Sequence, residues 1–172
     1  MLRCFFLAAV ATLLSGCAAW NSVFDRERPV DIEEVRRLAS CGVLGQGPEP
    51  KVHYLVDAAA IEAWAQERGV QGAELNPGVE GPFALVELGE RGLEGYGVLV
   101  SREAVVHSDG RLVLRSTFFY AAQPRGRPAQ ASPCVLLALP AYRYSEIELY
   151  DQEGILRAHT STKPESPKEP IR

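Results

Sequence analysis

Residues 96–120 read YGVLVSREAVVHSDGRLVLRSTFFY, and this stretch decides the fold. Two runs rich in Val, Leu, Thr and Phe flank Ser108-Asp109-Gly110, the pattern of two strands joined by a tight turn. A type I turn with Gly110 as a left-handed bulge residue fixes a register. It sets His107 opposite Arg111, Val106 opposite Leu112, Ala104 opposite Leu114 and Val100 opposite Phe118. Arg102 with Ser116 is the one polar pair on that apolar face. Glu103 with Arg115 and Ser101 with Thr117 share the other face. A two-residue turn would slip the pairing by one and set Ala104 against Arg115, so the first register separates polar from apolar better.

Working outward, Phe83 to Leu88 reads as a strand. Cys134 to Leu139 is apolar at every position, as expected of a central strand covered on both faces. Ser145 to Tyr150 alternates, and Ile155 to Thr160 reads as a last strand. Upstream, Lys51 to Val56 is a strand, and Asp57 caps a helix that runs to Arg68. Ile61, Trp64, Ala65 and Arg68 share one face of that helix, Val56 and Ile61 occupy staple positions around its cap, and Gly69 stops it. Residues 31–40 read two ways. Asp31 with Glu34 and the spacing of Ile32, Val35 and Leu38 fit a helix, while the run into Cys41-Gly42-Val43 fits a strand. The fold class expected is α+β, mostly β: a compact antiparallel sheet or sandwich with one helix over about 57–68. One domain over 31–160 is expected, followed by a Pro- and charge-rich tail over 161–172 that is expected to be disordered.

The N-terminus carries Arg3, an apolar run from Phe5 to Leu14, and then Ser15, Gly16, Cys17, Ala18 and Ala19. This is the order of a secretory signal, and the run is shorter than the roughly 20 residues a membrane span needs. Leu14-Ser15-Gly16-Cys17 resembles the lipobox of bacterial lipoproteins. The resemblance implies that residues 1–16 are cut away and that the Cys17 thiol takes diacylglycerol. Acyl chains at about 0.8 kcal/mol per buried CH₂ then anchor the chain to a bilayer. Residues 17–30 form a tether in this reading. Ala18 stands where lipoproteins kept at the inner membrane carry Asp, so the expected location is the outer membrane, facing the periplasm.

The chain has 18 Lys and Arg against 22 Asp and Glu. Removing residues 1–16 takes away Arg3 and no acid, which leaves the mature chain at −5. Such a domain has no electrostatic reason to seek nucleic acid or anionic lipid. Of the four cysteines, Cys4 leaves with the signal peptide and Cys17 is lipidated. Cys41 and Cys134 remain for an oxidising compartment, where a disulfide is the leading reading and two buried thiols the alternative. His53, His107 and His159 have no metal-site spacing, and no cofactor or metal is expected. Gly45-Gln46-Gly47 lacks the Lys-Ser/Thr ending of a phosphate loop, and neither a Gly-x-Ser-x-Gly elbow nor a His-Glu-x-x-His pair occurs. No enzyme is expected.

Gly89-Glu90-Arg91-Gly92-Leu93-Glu94-Gly95-Tyr96-Gly97 is the segment with the clearest functional interest. It reads either as a strand connection anchored by Tyr96 or as a binding loop that presents Arg91, Leu93 or Tyr96. Leu88-Gly89 with Gly95-Tyr96-Gly97-Val98, the hairpin from Asp109 to Arg115, Pro133-Cys134-Val135-Leu136 and Leu139-Pro140 resemble the protease-complex subunit PrcB family. Lys51 to Glu67 with Trp64 is similar to that family's upstream region, and this favours a strand near Arg36 to Val43. The likeness spans roughly residues 35–150. Leu93-Glu94-Gly95-Tyr96 departs from the family's Thr/Ser-Gly-Gly-Tyr loop. A more distant likeness is to chagasin-type cysteine-protease inhibitors.

The resemblance implies a non-catalytic, extracytoplasmic module that binds or assembles with an unidentified protein, a secreted protease or its complex being one candidate. The alternatives are a protease inhibitor presenting the Gly89–Gly97 loop and a structural envelope protein.

Overall fold

The computed structural model describes residues 26–41, 47–71, 75–93, 95–120 and 128–163. Residues 1–16, expected as a signal peptide, Cys17 and residues 164–172 lie outside the described residues. The strands are β1 (Arg28–Asp31), β2 (Glu33–Leu38), β3 (Lys51–Leu55), β4 (Phe83–Glu87), β5 (Arg91–Leu93) and β6 (Tyr96–Val100). They continue with β7 (Glu103–Val106), β8 (Arg111–Tyr120), β9 (Pro128–Ala131), β10 (Cys134–Ala138), β11 (Glu146–Tyr150) and β12 (Leu156–Ser161). Helix α1 (Ala58–Arg68) lies between β3 and β4. The fold is thus mostly β with one described helix, as the sequence led us to expect.

The larger sheet has the order β1-β7-β8-β11-β12, with β6 also on β8. The smaller has the order β2-β10-β4-β3, and β5 pairs with β9 as a separate ribbon. Every residue of β4 is buried, and so are four of the five in β10. Their two faces meet different layers. Ala84, Val86, Val135 and Leu137 pack against Leu112, Leu114, Ile147 and Leu149 of the larger sheet. Phe83, Leu85 and Leu136 pack against Ile61, Trp64 and Ala65 of α1. This is why the run from Cys134 is apolar at every position.

The Asp57 carboxylate accepts from the Ala60 N–H at 2.8 Å, and Gly69 takes the left-handed conformation at φ 66. Both ends of α1 therefore form as their caps dictate. The staple does not form as expected, because Val56 is exposed while Ile61 is buried.

The register at the hairpin turn holds: Val106 faces Leu112, Val105 faces Val113, and Gly110 has φ 88. Beyond it the structure corrects the expectation. Val100 faces Ser116 and Val98 faces Phe118, a slip of two residues. The one long strand expected over 96–107 is two strands: the Ser101 N–H still bonds the Arg115 carbonyl, and pairing with β8 resumes only at Val105. A two-residue slip keeps every side chain on its own face, so the polar and apolar pattern was blind to it. The bulge has a use: the Arg102 carbonyl accepts the Ile32 N–H at 2.8 Å. Ile32 is the buried corner at which the chain passes from β1 in the larger sheet to β2 in the smaller.

Residues 28–38 are two strands and not a helix. Their helix-like spacing arises from a second bulge. Leu136 faces Arg36 and Leu137 faces Glu34, so Val35 is the extra residue. It thereby packs with Leu38 on the α1 side. Strand β1 begins at Arg28, inside the segment expected as tether. At the other end, Thr162 still bonds Ser145, inside the expected tail.

Strands β8 and β11 run parallel. A parallel pair needs a crossover, and the chain makes it by passing through β10 of the other sheet.

Cys41 and Cys134 stand at disulfide distance, with Cα atoms 5.8 Å apart and a sequence separation of 93. Both are buried in the layer shared with α1. Closing a loop of that length should stabilise by about 4.6 kcal/mol in the chain-entropy model. Non-reducing peptide mapping is expected to recover the two cysteines in one linked fragment, and reduction should lower the melting temperature. Recovery of both as free thiols would overturn the bond.

Candidate functional site

The Gly89–Gly97 segment is tied down by its own residues. Gly89 has φ +82, and a Cβ there would strike the backbone of Pro48 and Glu49. The Arg91 guanidinium donates to the carbonyls of Leu88 at 2.7 Å and Pro48 at 3.0 Å. It also stands 5.8 Å over the Tyr96 ring. Tyr96 is half-buried and packs against the core between the sheets. Gly97 faces Phe119, and a Cβ at Gly97 would come within 2.1 Å of the Phe119 ring. Backbone β5 carries Leu93 opposite Pro128, and the Leu93 side chain lies outside the described residues. Arg91 and Tyr96 are thus brought together, but turned onto the domain. The Gly-Tyr-Gly run is an architectural joint.

The open surface lies elsewhere. A groove of about 730 Å³ crosses the outer face of the larger sheet. Alternation along β8 turns Leu112, Leu114 and Ser116 inward, which leaves Arg111, Val113, Arg115 and Thr117 to the outside. Leu99 of β6 adds an exposed apolar side chain, 52% accessible. The hairpin turn Asp151–Gly154 between β11 and β12 walls one side.

The charges in the groove are arranged by β11. Arg111 meets Glu148 at 3.2 Å, and Tyr150 donates its hydroxyl to the same carboxylate at 3.1 Å. Burial and this hydrogen bond push the Tyr150 phenol up. Asp109 accepts the Arg111 N–H at 3.0 Å, which holds its carboxyl below the usual range. Arg115 is exposed on the groove floor. At the far end β11 stops, and the Gln152 side chain accepts the Phe118 N–H at 3.0 Å, in the place of a neighbouring strand.

Asp151 holds the groove wall in place. Burial pushes its carboxyl up. The Ile155 N–H at 2.8 Å, the Arg157 guanidinium at 2.5 Å with its charge, and the Glu153 N–H at 3.0 Å outweigh burial. The carboxyl therefore sits below its usual value.

A buried charge cluster lies on the other side of the smaller sheet, and sequence reasoning missed it. Glu87 is 2% exposed, 3.3 Å from Arg68 of α1 and 3.5 Å from His53 of β3. Arg68 lies 5.2 Å over the Trp64 ring. The one available signal was a single Glu inside the otherwise apolar run Phe83 to Leu88. The cluster fastens α1 to the sheet from within. His53 and Trp64 belong to it, while His107 borders the groove and His159 pairs with Glu146 on the surface. Among the described residues no group of three or more His, Cys, Asp or Glu could hold a metal ion.

Two outcomes follow from these contacts. Because Tyr96 is half-buried, Tyr96→Ala should destabilise the fold by about 2 kcal/mol, below the roughly 3–5 of a fully buried aromatic. An unchanged melting temperature would return the loop to the list of free binding surfaces. A carboxyl held low in the folded state adds stability that is complete above its unfolded value and drains away as pH falls through the folded one. Asp151→Asn should therefore melt below the parent near neutral pH, and the gap should close with acidification. A gap that stays constant into the acid range would show that the carboxylate charge is not what holds the turn.

No protein-family model matches the chain, and comparison with curated proteins and with solved structures gives no match either.

Proposed function

We propose that the chain is an extracytoplasmic lipoprotein, anchored at Cys17, that acts as a non-catalytic module and holds a segment of a partner protein in the groove of the larger sheet. The observation that carries this reading is the groove itself. It is open, it lies on rigid strands, and its floor alternates Leu99 and Val113 with Arg111 and Arg115. A floor on which apolar and basic side chains alternate suits an extended peptide, whose own side chains alternate. Arg115 on the floor favours a segment that carries an acidic residue among apolar ones.

The likeness to the PrcB family makes a secreted protease or its complex the partner to look for first. The inhibitor reading is weaker, because Arg91 and Tyr96 of the Gly89–Gly97 loop are both spent on contacts within the domain. The lipobox at residues 14–17 supplies the anchor, and the outer membrane is the location it favours.

Crosslinking in the native envelope followed by mass spectrometry identifies the partner. Arg115→Glu combined with Leu99→Asp should cut its recovery at least about tenfold, since each is placed to lose an interface contact of a kcal/mol or more. Both positions are on the surface, so the melting temperature should hardly move. Undiminished capture would sink the groove as the site. Separately, Cys17→Ser should abolish acyl labelling and leave the precursor uncut, and normal maturation of that variant would sink the anchor.

A further inference from the structure

The described chain begins at Arg26, and β1 starts at Arg28, beside Val106. Nine residue-to-residue steps lead from Cys17 to Arg26. Fully extended, at about 3.3–3.6 Å per residue, they span roughly 30 Å. If Cys17 carries the acyl chains, the surface around Arg26 is therefore held within that distance of the lipid. What stands there is not typical of this acidic chain.

The Arg28 guanidinium lies 6.0 Å from the ring of Tyr142, which is 40% exposed. Tyr142 leans on Tyr144 at 5.8 Å, and Tyr144 meets Tyr54 edge-on at 6.3 Å. The aromatic is thus propped from beneath by the core. Arg143, next in the chain, is exposed, and its backbone is packed against Gly110 of the hairpin turn. Thr162 donates its N–H to the Ser145 carbonyl and its hydroxyl to the Tyr144 carbonyl, which brings exposed Lys163 to the same ground. Among the described residues the acidic side chains in this neighbourhood are Glu27, Asp109, which Arg111 engages, and Glu146, which His159 engages, and Asp25 precedes Arg26 in the sequence.

We propose that this patch docks the domain onto the bilayer surface, with Tyr142 at headgroup level and Arg26, Arg28, Arg143 and Lys163 against anionic lipid phosphates. The proposal rests on the lipid anchor at Cys17. The tether brings the patch to the membrane whatever its charge, and the cations then decide the orientation. Tyrosine suits the interface because its ring is apolar and its hydroxyl is wet. Each basic side chain near an anionic surface strengthens binding about fivefold, and salt screens the effect. The patch needs no cluster in the sequence, because its parts come from residues 26–28, 142–143 and 163.

The test uses the mature lipoprotein in nanodiscs of phosphatidylglycerol or phosphatidylcholine, read by hydrogen exchange and by intact mass. We expect slower exchange over residues 26–30 and 140–144 in phosphatidylglycerol discs, little in phosphatidylcholine, and release by salt. Arg28→Glu with Arg143→Glu should abolish that protection while leaving exchange in β4 and β10 unchanged, which shows that the variant is folded. An acylated protein whose patch exchanges equally in both discs overturns the docking and leaves the anchor standing. A chain without the acyl mass overturns the anchor, and the docking with it. Protection that persists in detergent without a bilayer points to a second copy of the chain and also overturns the proposal.

Discussion

Everything in this fold depends on covering β4 and β10 twice. A strand pair apolar on both faces must have a layer on each side, or a whole face of Leu, Val and Phe meets water. The larger sheet supplies one cover and α1 the other. The chain order follows from that need. It lays down β3, α1 and β4, builds the hairpin of the larger sheet, returns through β10, and crosses back to β11, so β11 must join β8 in parallel. The cysteine pair, at disulfide distance, sits where the layers meet, since Cys134 opens β10 and lies in the core shared with α1.

The same constraint explains the most costly residue in the protein. Glu87 ends β4 on the α1 side and is nearly sealed from water. An isolated carboxylate there would be far more costly than any one apolar contact is worth. Arg68 offsets this from the last turn of α1, and His53 approaches from the neighbouring strand. Such a pair adds little net stability against an apolar substitute, but losing one partner leaves a buried charge. The pair ties the last turn of α1 to the end of β4, with Arg68 3.3 Å from Glu87.

Much of this was legible in the sequence. The hairpin turn, the caps of α1, the central character of Cys134 to Leu139 and the cysteine pair follow from local chemistry, and the structure agrees. What failed was local pattern acting through a bulge. Between Ser101 and Val105 the slip is two residues, so alternation survives and carries no trace of it. At Val35 the slip is one residue, so two alternating runs join into a spacing of three that imitates a helix. The Gly89–Gly97 loop shows the opposite limit. Its glycines were conspicuous, yet composition alone does not say whether a tight loop is tight for packing or for a ligand. Gly89 against Pro48 and Gly97 under Phe119 show that here the reason is packing.

The two surfaces to which we assign function were invisible in the sequence for one reason: each is assembled from distant segments. The groove takes Leu99, Arg115 and Gln152 from three parts of the chain. The basic patch takes its cations from three others, in a chain whose net charge is −4. Net charge describes the far field, and a local reversal within a Debye length of a membrane is a separate quantity. The two surfaces are also linked in space. Arg111 lies at one end of the groove, one residue from Gly110, on which the Arg143 backbone packs. Leu99 and Gln152 lie toward the other end, where β6 and the Asp151 turn flank β8. A domain held by the patch would keep the Arg111 end near the headgroups and point the Leu99 end away from them. The groove would then open toward the aqueous space, where a partner's extended segment can enter without meeting lipid. A tether alone fixes distance and leaves direction free. The patch supplies the direction, and a groove that binds an extended chain is useful only if its mouth is turned to where that chain arrives.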